Sequence, residues 1–384
     1  MRVLIAPNAF KNSLTAPDAA QAISNGLRKS SASFDCTNFP VGDGGDGTAA
    51  IFSQNWGGKE IIVEVQDPLG RIISASYGWI AETTTAIIEL ANASGLRLLK
   101  SFEYDPLRCN TFGTGELIKS ALDRNASKII LCIGGSATVD GATGILRALG
   151  IRFLNSKGTL IANPGDLEEL DDIDLSQLDS RLQKMELFVL CDVDNFLLGS
   201  NGAAAIFGPQ KGADAMAVQR LDRALQRLQE ITLEKTGYDM NSIKHGGAAG
   251  GVAAGLFAFL QARLENGIEY FLDHAGFDNL LDKSDLLITG EGSIDLQTLQ
   301  GKAPYGVAKR AKKKNIPVIA FAGQVPDQPE LALKEYFDLL LSINKEPVDL
   351  ATALQNTSIN LEEAAKALGE RILLSAGNLS EFLG

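Results

Sequence analysis

Four short apolar runs in this chain end in the same way, in glycines, carboxylates or hydroxyls. Val41 leads into Gly42-Asp43-Gly44-Gly45-Asp46-Gly47-Thr48, and Ile133 into Gly134-Gly135-Ser136-Ala137-Thr138-Val139-Asp140-Gly141. Cys191 leads into Asp192-Val193-Asp194-Asn195, and Thr289 into Gly290-Glu291-Gly292-Ser293-Ile294-Asp295. A run that is apolar throughout and then stops at a turn reads as a strand buried on both faces, the kind found in a parallel sheet covered by helices. In open α/β sheets, ligands bind outside the carboxyl ends of the strands. A single glycine turn is ordinarily just a tight turn. Four on like strand ends point to one α/β site.

The surrounding pattern supplies the scaffold. Residues 2–6 form a branched apolar run closed by Pro7, and Thr15 with Asp18 has the spacing of a capping box before Ala20, Ile23 and Leu27 at helical intervals. A second strand is expected at 37–41. From residue 60 the texture changes to an antiparallel meander, with strands at 61–65, 72–77 and 85–90 separated by turn residues. Helix and strand alternate again between 114 and 158, a buried strand follows at 187–191, and Val218, Leu221, Leu225, Leu228 and Ile231 mark an amphipathic helix. Strands at 286–289, 318–322 and 339–342 and a helix over 304–313 restore the α/β rhythm.

At 384 residues the chain exceeds the roughly 250–300 that one core usually serves. The expected architecture is α/β: a doubly wound Rossmann-like domain from residues 1–58 and 268–384, with a second, mixed α/β domain inserted at 59–267.

Charge and composition narrow the chemistry. With 35 basic against 47 acidic residues the formal charge is −12, a field that repels nucleic acid and anionic membranes, so neither is expected as a partner. No apolar stretch reaches the about 18 residues of a membrane span, and Pro7 and Asn8 interrupt the N-terminal run too early for a signal peptide. The four cysteines are scattered without a C-x-x-C pair, as expected of idle thiols in a cytoplasmic protein. Two histidines, His245 and His274, are too few for a histidine metal cage or an evident Ser-His-Asp constellation, and both are expected to serve structure.

An acidic protein that handles a polyanion needs local cations. Lys11, Lys211 and Lys302 lie on expected loops, two of them directly beside glycine. Each alone reads as a surface lysine; together they could neutralise phosphate or carboxylate. The turn Gly134, Gly135, Ser136, Ala137, Thr138 could offer backbone N–H groups to phosphate oxygens. Asp43, Asp192, Glu291 and Asp295 could hold Mg2+ or take a proton from an attacking hydroxyl. Thr114 opens a helix, which an N-cap role explains equally well. No Walker A motif is present, since Gly301-Lys302 is followed by Ala303, and neither the protein-kinase signatures nor a G-x-G-x-x-G fingerprint occurs.

These segments, in order, resemble the bacterial glycerate kinase family. The matching stretches are 6–14 (APNAFKNSL), 40–48 (PVGDGGDGT), 111–118 (TFGTGELI), 133–141 (IGGSATVDG) and 191–195 (CDVDN), continuing through 207–213 (FGPQKGA), 246–251 (GGAAGG), 288–295 (ITGEGSID) and 301–304 (GKAP). The sequence departs from the family pattern at Asn8, Ala9 and Asn12, at Val139 and Ala142, and at Ser293. The resemblance implies two α/β domains with the active site in the interdomain cleft, ATP and Mg2+ as cofactors, and phosphorylation of D-glycerate, giving 2-phospho-D-glycerate. The alternatives are the 3-hydroxyl, a related small hydroxy acid, a phosphate-binding lyase or isomerase, or a sugar-acid binding protein without catalysis. Under the kinase reading, Asp192 is the expected base with Asp43 as the alternative, and Lys11 assists. Gly134–Thr138, Lys211 and Lys302 would bind ATP. Asp43, Glu291 and Asp295 would bind the metal. Lys11, Ser13, Thr114 and Asp194 would bind the substrate.

Overall fold

The computed structural model describes residues 1–30, 34–326, 328–344, 346, 348–375 and 382. Its strands are β1 (Arg2–Ile5), β2 (Asp35–Asn38), β3 (Lys59–Gln66), β4 (Ile72–Ile80), β5 (Thr85–Glu89), β6 (Lys128–Cys132), β7 (Arg152–Asn155), β8 (Leu170–Asp174), β9 (Glu186–Cys191), β10 (Arg263–Asn266), β11 (Leu286–Ser293), β12 (Val318–Gln324) and β13 (Leu339–Ser342). Contacts divide the chain into two units, Met1–Asp43 with Ile268–Gly384, and Gly44–Gly267. The first junction falls ahead of residue 58 because the helix Thr48–Asn55 packs on β4 and β5.

The first unit is a five-stranded, all-parallel sheet in the order β13-β12-β11-β1-β2. Numbered within the unit this is the doubly wound order 2-1-3-4-5, whose direction reverses between β1 and β11. Period-two alternation puts Val3, Ile5, Leu286, Ile288, Ile319 and Phe321 in one core with the helices Ala16–Lys29 and Leu350–Leu374. On the other side the helix Ala303–Lys313 packs on β11 and β12, and Phe39 meets the rings of Phe271 and Phe277. The first helix starts as its sequence demands: Thr15 Oγ1 accepts the Asp18 N–H at 3.3 Å and donates to the Asp18 carboxylate at 2.6 Å. β2 ends earlier than expected. The chain still runs beside β1, through Phe39 N–H to Ile5 O and Val41 N–H to Pro7 O, but Pro40 between them has no N–H to donate.

The second unit holds a mixed six-stranded sheet, β10-β9-β6-β5-β4-β3. Its β3–β4 and β4–β5 pairs are antiparallel, as the meander pattern predicts, and the rest are parallel. A separate antiparallel pair, β7–β8, was not expected, because Leu170-Asp171-Asp172-Ile173-Asp174 carries acids where strands usually carry branched or aromatic residues. The amphipathic helix Ala215–Thr236 buries Leu221, Leu225, Leu228 and Ile231 and is capped by Asp214, whose carboxylate accepts the Ala217 N–H. Among the described residues no helix is long and apolar enough to cross a membrane.

Candidate active site

In the first unit, sheet topology draws expected residues together. β1 and β11 are knitted past their paired residues by Ala6 N–H to Ile288 O at 2.7 Å, Asn8 N–H to Gly290 O at 2.9 Å, and Thr289 Oγ1 to Ala6 O at 2.8 Å. Gly290 is needed there: a Cβ at that position would lie 2.4 Å from the Phe321 carbonyl oxygen. Asn8, at the exit of β1, donates from Nδ2 to Asp43 Oδ2 at 2.8 Å, and its Oδ1 accepts the Ala9 N–H. Glu291, on β11, is only 8% exposed and accepts the Thr298 hydroxyl at 3.1 Å. Burial pushes its carboxyl up to about 7; Lys302 pulls it down, Asp43 pushes it further up, and the Thr298 hydroxyl and Lys11 pull it down. Asp43, Glu291, Lys11 and Lys302 therefore share one electrostatic environment at the strand-order reversal.

Two other expected residues of this unit are engaged in structure. Asp295 caps the turn Leu296–Gln300, accepting the Gln297 N–H at 2.8 Å, while its own N–H bonds Thr298 Oγ1 at 3.2 Å. Ser13 donates to the Leu354 carbonyl in the last long helix at 2.6 Å.

In the second unit the glycine turns are held by buried charge. The Gly134–Thr138 turn follows β6, with Gly134 N–H bonded to Gly44 O and Ala137 N–H to Ser94 O, both at 2.9 Å. Those two N–H groups serve the protein itself, so the expected cradle is narrower than its sequence suggests. Lys211 is 2% exposed rather than presented on a surface loop; its Nζ donates to Ser136 Oγ and to Thr138 O, each at 2.7 Å. Burial lowers its ammonium to about 7, against the opposing pull of Asp140 and Cys109. Asp140 accepts Thr111 Oγ1 and the N–H groups of Thr111, Ala142 and Gly144, yet full burial still raises its carboxyl. Thr114 is fully buried and pairs with Ser94 Oγ at 2.7 Å.

Asp192 and Asp194 follow β9. Asp192 is half-buried, and Asp194 is exposed, 3.0 Å from His245 Nδ1 and 3.4 Å from Lys244 Nζ. His245 also contacts the Val193 carbonyl at 2.7 Å, consistent with a structural histidine. Glu89, at the end of β5, has no counterpart in the sequence reading. Its buried carboxylate accepts the N–H groups of Gly47 and Ala49 at the start of the helix Thr48–Asn55. Burial raises it to about 7, the Gly47 N–H pulls it down, Asp46 pushes it up, and Arg97 at 3.7 Å and the Ala49 N–H pull it down.

The sequence pattern of the glycerate kinase family matches residues 3–373. This chain belongs to that family. It is 42% identical to the glycerate kinase of Halalkalibacterium halodurans over 95% of this chain and 96% of that one. It is 39% identical to the glycerate 2-kinase of Escherichia coli over 98% and 100%. A crystal structure from Salmonella typhimurium, provisionally assigned as glycerate kinase 2, superposes with a TM-score of 0.82 at 41% identity, covering 98% of this chain and 99% of that one. The glycerate kinase family assignment thus rests on almost the whole chain, not on the glycine turns alone. Within that frame Asn8, Glu89 and Thr298 are additions to the expected set. Asn8 had a signal, being a polar residue just past an apolar strand. Glu89 and Thr298 had none, since their partners are set by the fold.

Proposed function

We propose that this glycerate kinase family member transfers the γ-phosphate of ATP to the 2-hydroxyl of D-glycerate, giving 2-phospho-D-glycerate and ADP. The observation that carries this reading is the match to the family from residue 3 to 373, and the effects of Lys302, Asp43 and Lys11 on the buried Glu291 carboxyl support it.

The residues fit a divalent cation. Burial and Asp43 both oppose ionisation of Glu291, and a bound cation would relieve both. Among the described residues no group of three or more His, Cys, Asp or Glu side chains forms a ready cage. Mg2+ commonly takes one or two carboxylates and completes its shell with phosphate oxygens and water. Asp43 and Glu291 would hold the ion; Asp295, engaged as a cap, would not. Held there, Mg2+ would supply neutralisation of the donor's phosphate charge.

The protein's part is positioning and electrostatics. Lys11 and Lys302 offset phosphate and carboxylate charge. Lys211 holds the Ser136–Thr138 turn in shape, a role its burial supports better than direct contact with solvent-borne phosphate. Asp192 takes the proton from the substrate hydroxyl, leaving Asp43 to the metal and to Asn8.

Coupled detection of ADP release tests the reaction, with D-glycerate, ATP and Mg2+ as components and phosphorus NMR of the product to identify the carbon. ADP release independent of glycerate, or none, refutes the kinase reading; a 3-phosphate refutes the regiochemistry. Asp192→Asn is expected to lower kcat by roughly 10²–10⁴ with KM for ATP little changed. Wild-type turnover would remove Asp192 from the base role.

A further inference from the structure

Where the turn after β11 meets the segment after β12, the first unit contains a cavity of about 320 Å³ to which the reaction just described assigns no group. Leu296, Pro326 and Leu333 make its apolar wall, and Gln297 and Gln328 contribute amides. Asp295 and Glu330 add carboxylates. One side chain joins it to the proposed metal site: Thr298 Oγ1 donates to Glu291 Oε1 at 3.1 Å and accepts the N–H of Asp295 at 3.2 Å.

The lining discriminates among the reactants. Among the described residues its charged side chains are two acids, which repel both the carboxylate of glycerate and a triphosphate. The volume sits at the lower end of the about 300–1,000 Å³ typical of small-molecule sites, with the usual apolar wall and few polar groups. The part of the reactants that suits it is neutral, with apolar faces and polar edges. That is a nucleoside. Carboxylates suit ribose hydroxyls, as they do in dinucleotide-binding sheets, and side-chain amides can pair with the edge of a base.

We infer that this cavity takes the nucleoside end of the phosphoryl donor, with the ribose on Glu330 and the base against Leu296 and Pro326. The inference rests on the ATP-dependent reading and deepens it by locating the part of ATP farthest from the transferred group.

Photolabelling of the intact protein with 8-azido-ATP, followed by peptide mapping, tests the location. ATP-protected label is expected in peptides covering residues 294–300 or 326–333, and protected label confined elsewhere overturns the inference. Leu296→Trp tests it independently, at a side chain already 42% exposed and therefore tolerant of change. The substitution narrows the cavity and is expected to raise KM for ATP by at least about tenfold. KM for D-glycerate and inhibition by inorganic triphosphate should stay within about twofold. An unmoved KM for ATP overturns the inference while turnover itself upholds the kinase reading. Absence of glycerate-dependent ADP release from the wild-type protein overturns both.

Discussion

Glu291→Gln offers a direct measurement of the electrostatics at the β1/β11 reversal. In the folded chain the carboxyl keeps its proton up to about 7, against an ordinary value of 4.5. Between those values the folded state binds more protons than the unfolded state, so stability falls as pH rises through the window and levels off above it. The gap, at 1.36 kcal/mol per pK unit, corresponds to roughly 3 kcal/mol at pH 8. Glutamine cannot ionise and can still accept the Thr298 hydroxyl through Oε1. The variant should therefore match the wild type near pH 4.5 and become progressively more stable, by up to roughly 3 kcal/mol at pH 8. Its turnover should fall, since the amide is a poor metal ligand. The readout must report on the right part of the chain. Both tryptophans, Trp56 and Trp79, lie in the second unit, so fluorescence does not report on this site. Hydrogen exchange of peptides covering β11 and β12, in low urea across pH 5–8.5 and corrected for intrinsic exchange rates, does. A stability difference that is the same at pH 5 and pH 8, or a variant less stable at pH 8, would refute the reasoning.

Three further substitutions probe the supports of the site. Lys211→Met removes the donor to Ser136 Oγ and Thr138 O and should lower turnover more than it raises KM for glycerate. Because burial lowers Lys211 to about 7, stability of the second unit should rise with pH from 7 towards 10.5, and tryptophan fluorescence in urea should find that slope reduced in the variant. Glu89→Ala leaves the Gly47 and Ala49 N–H groups without their acceptor, at a cost of about 1–3 kcal/mol in the same fluorescence assay. Gly290→Ala forces a Cβ against Phe321 O at 2.4 Å, so β11 and β12 must separate; a loss of about 1–3 kcal/mol is expected by hydrogen exchange on β12. No loss would mean that the strands yield more easily than close packing allows.

The sheet and its strand ends were legible because they depend on local pattern. Apolar runs, the Thr15–Asp18 cap and the antiparallel meander are written in neighbouring residues, and apart from β2, which ends at Asn38, they appear close to where that pattern puts them. The long helix Leu350–Leu374 carries an equally local signal in Leu361, Ala365, Leu368 and Ile372 at helical spacing. The pair β7–β8 was not readable, since its acids follow from packing at the surface rather than from strand propensity.

The supports of the glycine turns were illegible for a physical reason that bears on function. A turn made of glycine has freedom to approach a ligand but no side chains with which to fix its own shape. Whatever fixes it must come from another element, and so from a distance in sequence that no local pattern records. Glu89 reaches Gly47 across 42 positions and Lys211 reaches Ser136 across 75. Both are buried charged groups, because a charge-assisted hydrogen bond to backbone or hydroxyl is stronger than a neutral one and can hold an otherwise loose loop. The accompanying burial pushes Glu89 and Lys211 both to about 7, from opposite sides. A shifted ionisable group in this fold is therefore not by itself a mark of proton transfer. Glu89 bonds the N–H groups of Gly47 and Ala49, and Lys211 bonds the Thr138 carbonyl, whereas Glu291 bonds the Thr298 hydroxyl and is shifted in part by Lys302, Asp43 and Lys11. That difference in hydrogen-bond partners, rather than the size of the shift, is what makes Glu291 the proposed metal ligand and gives the other two the shaping of loops.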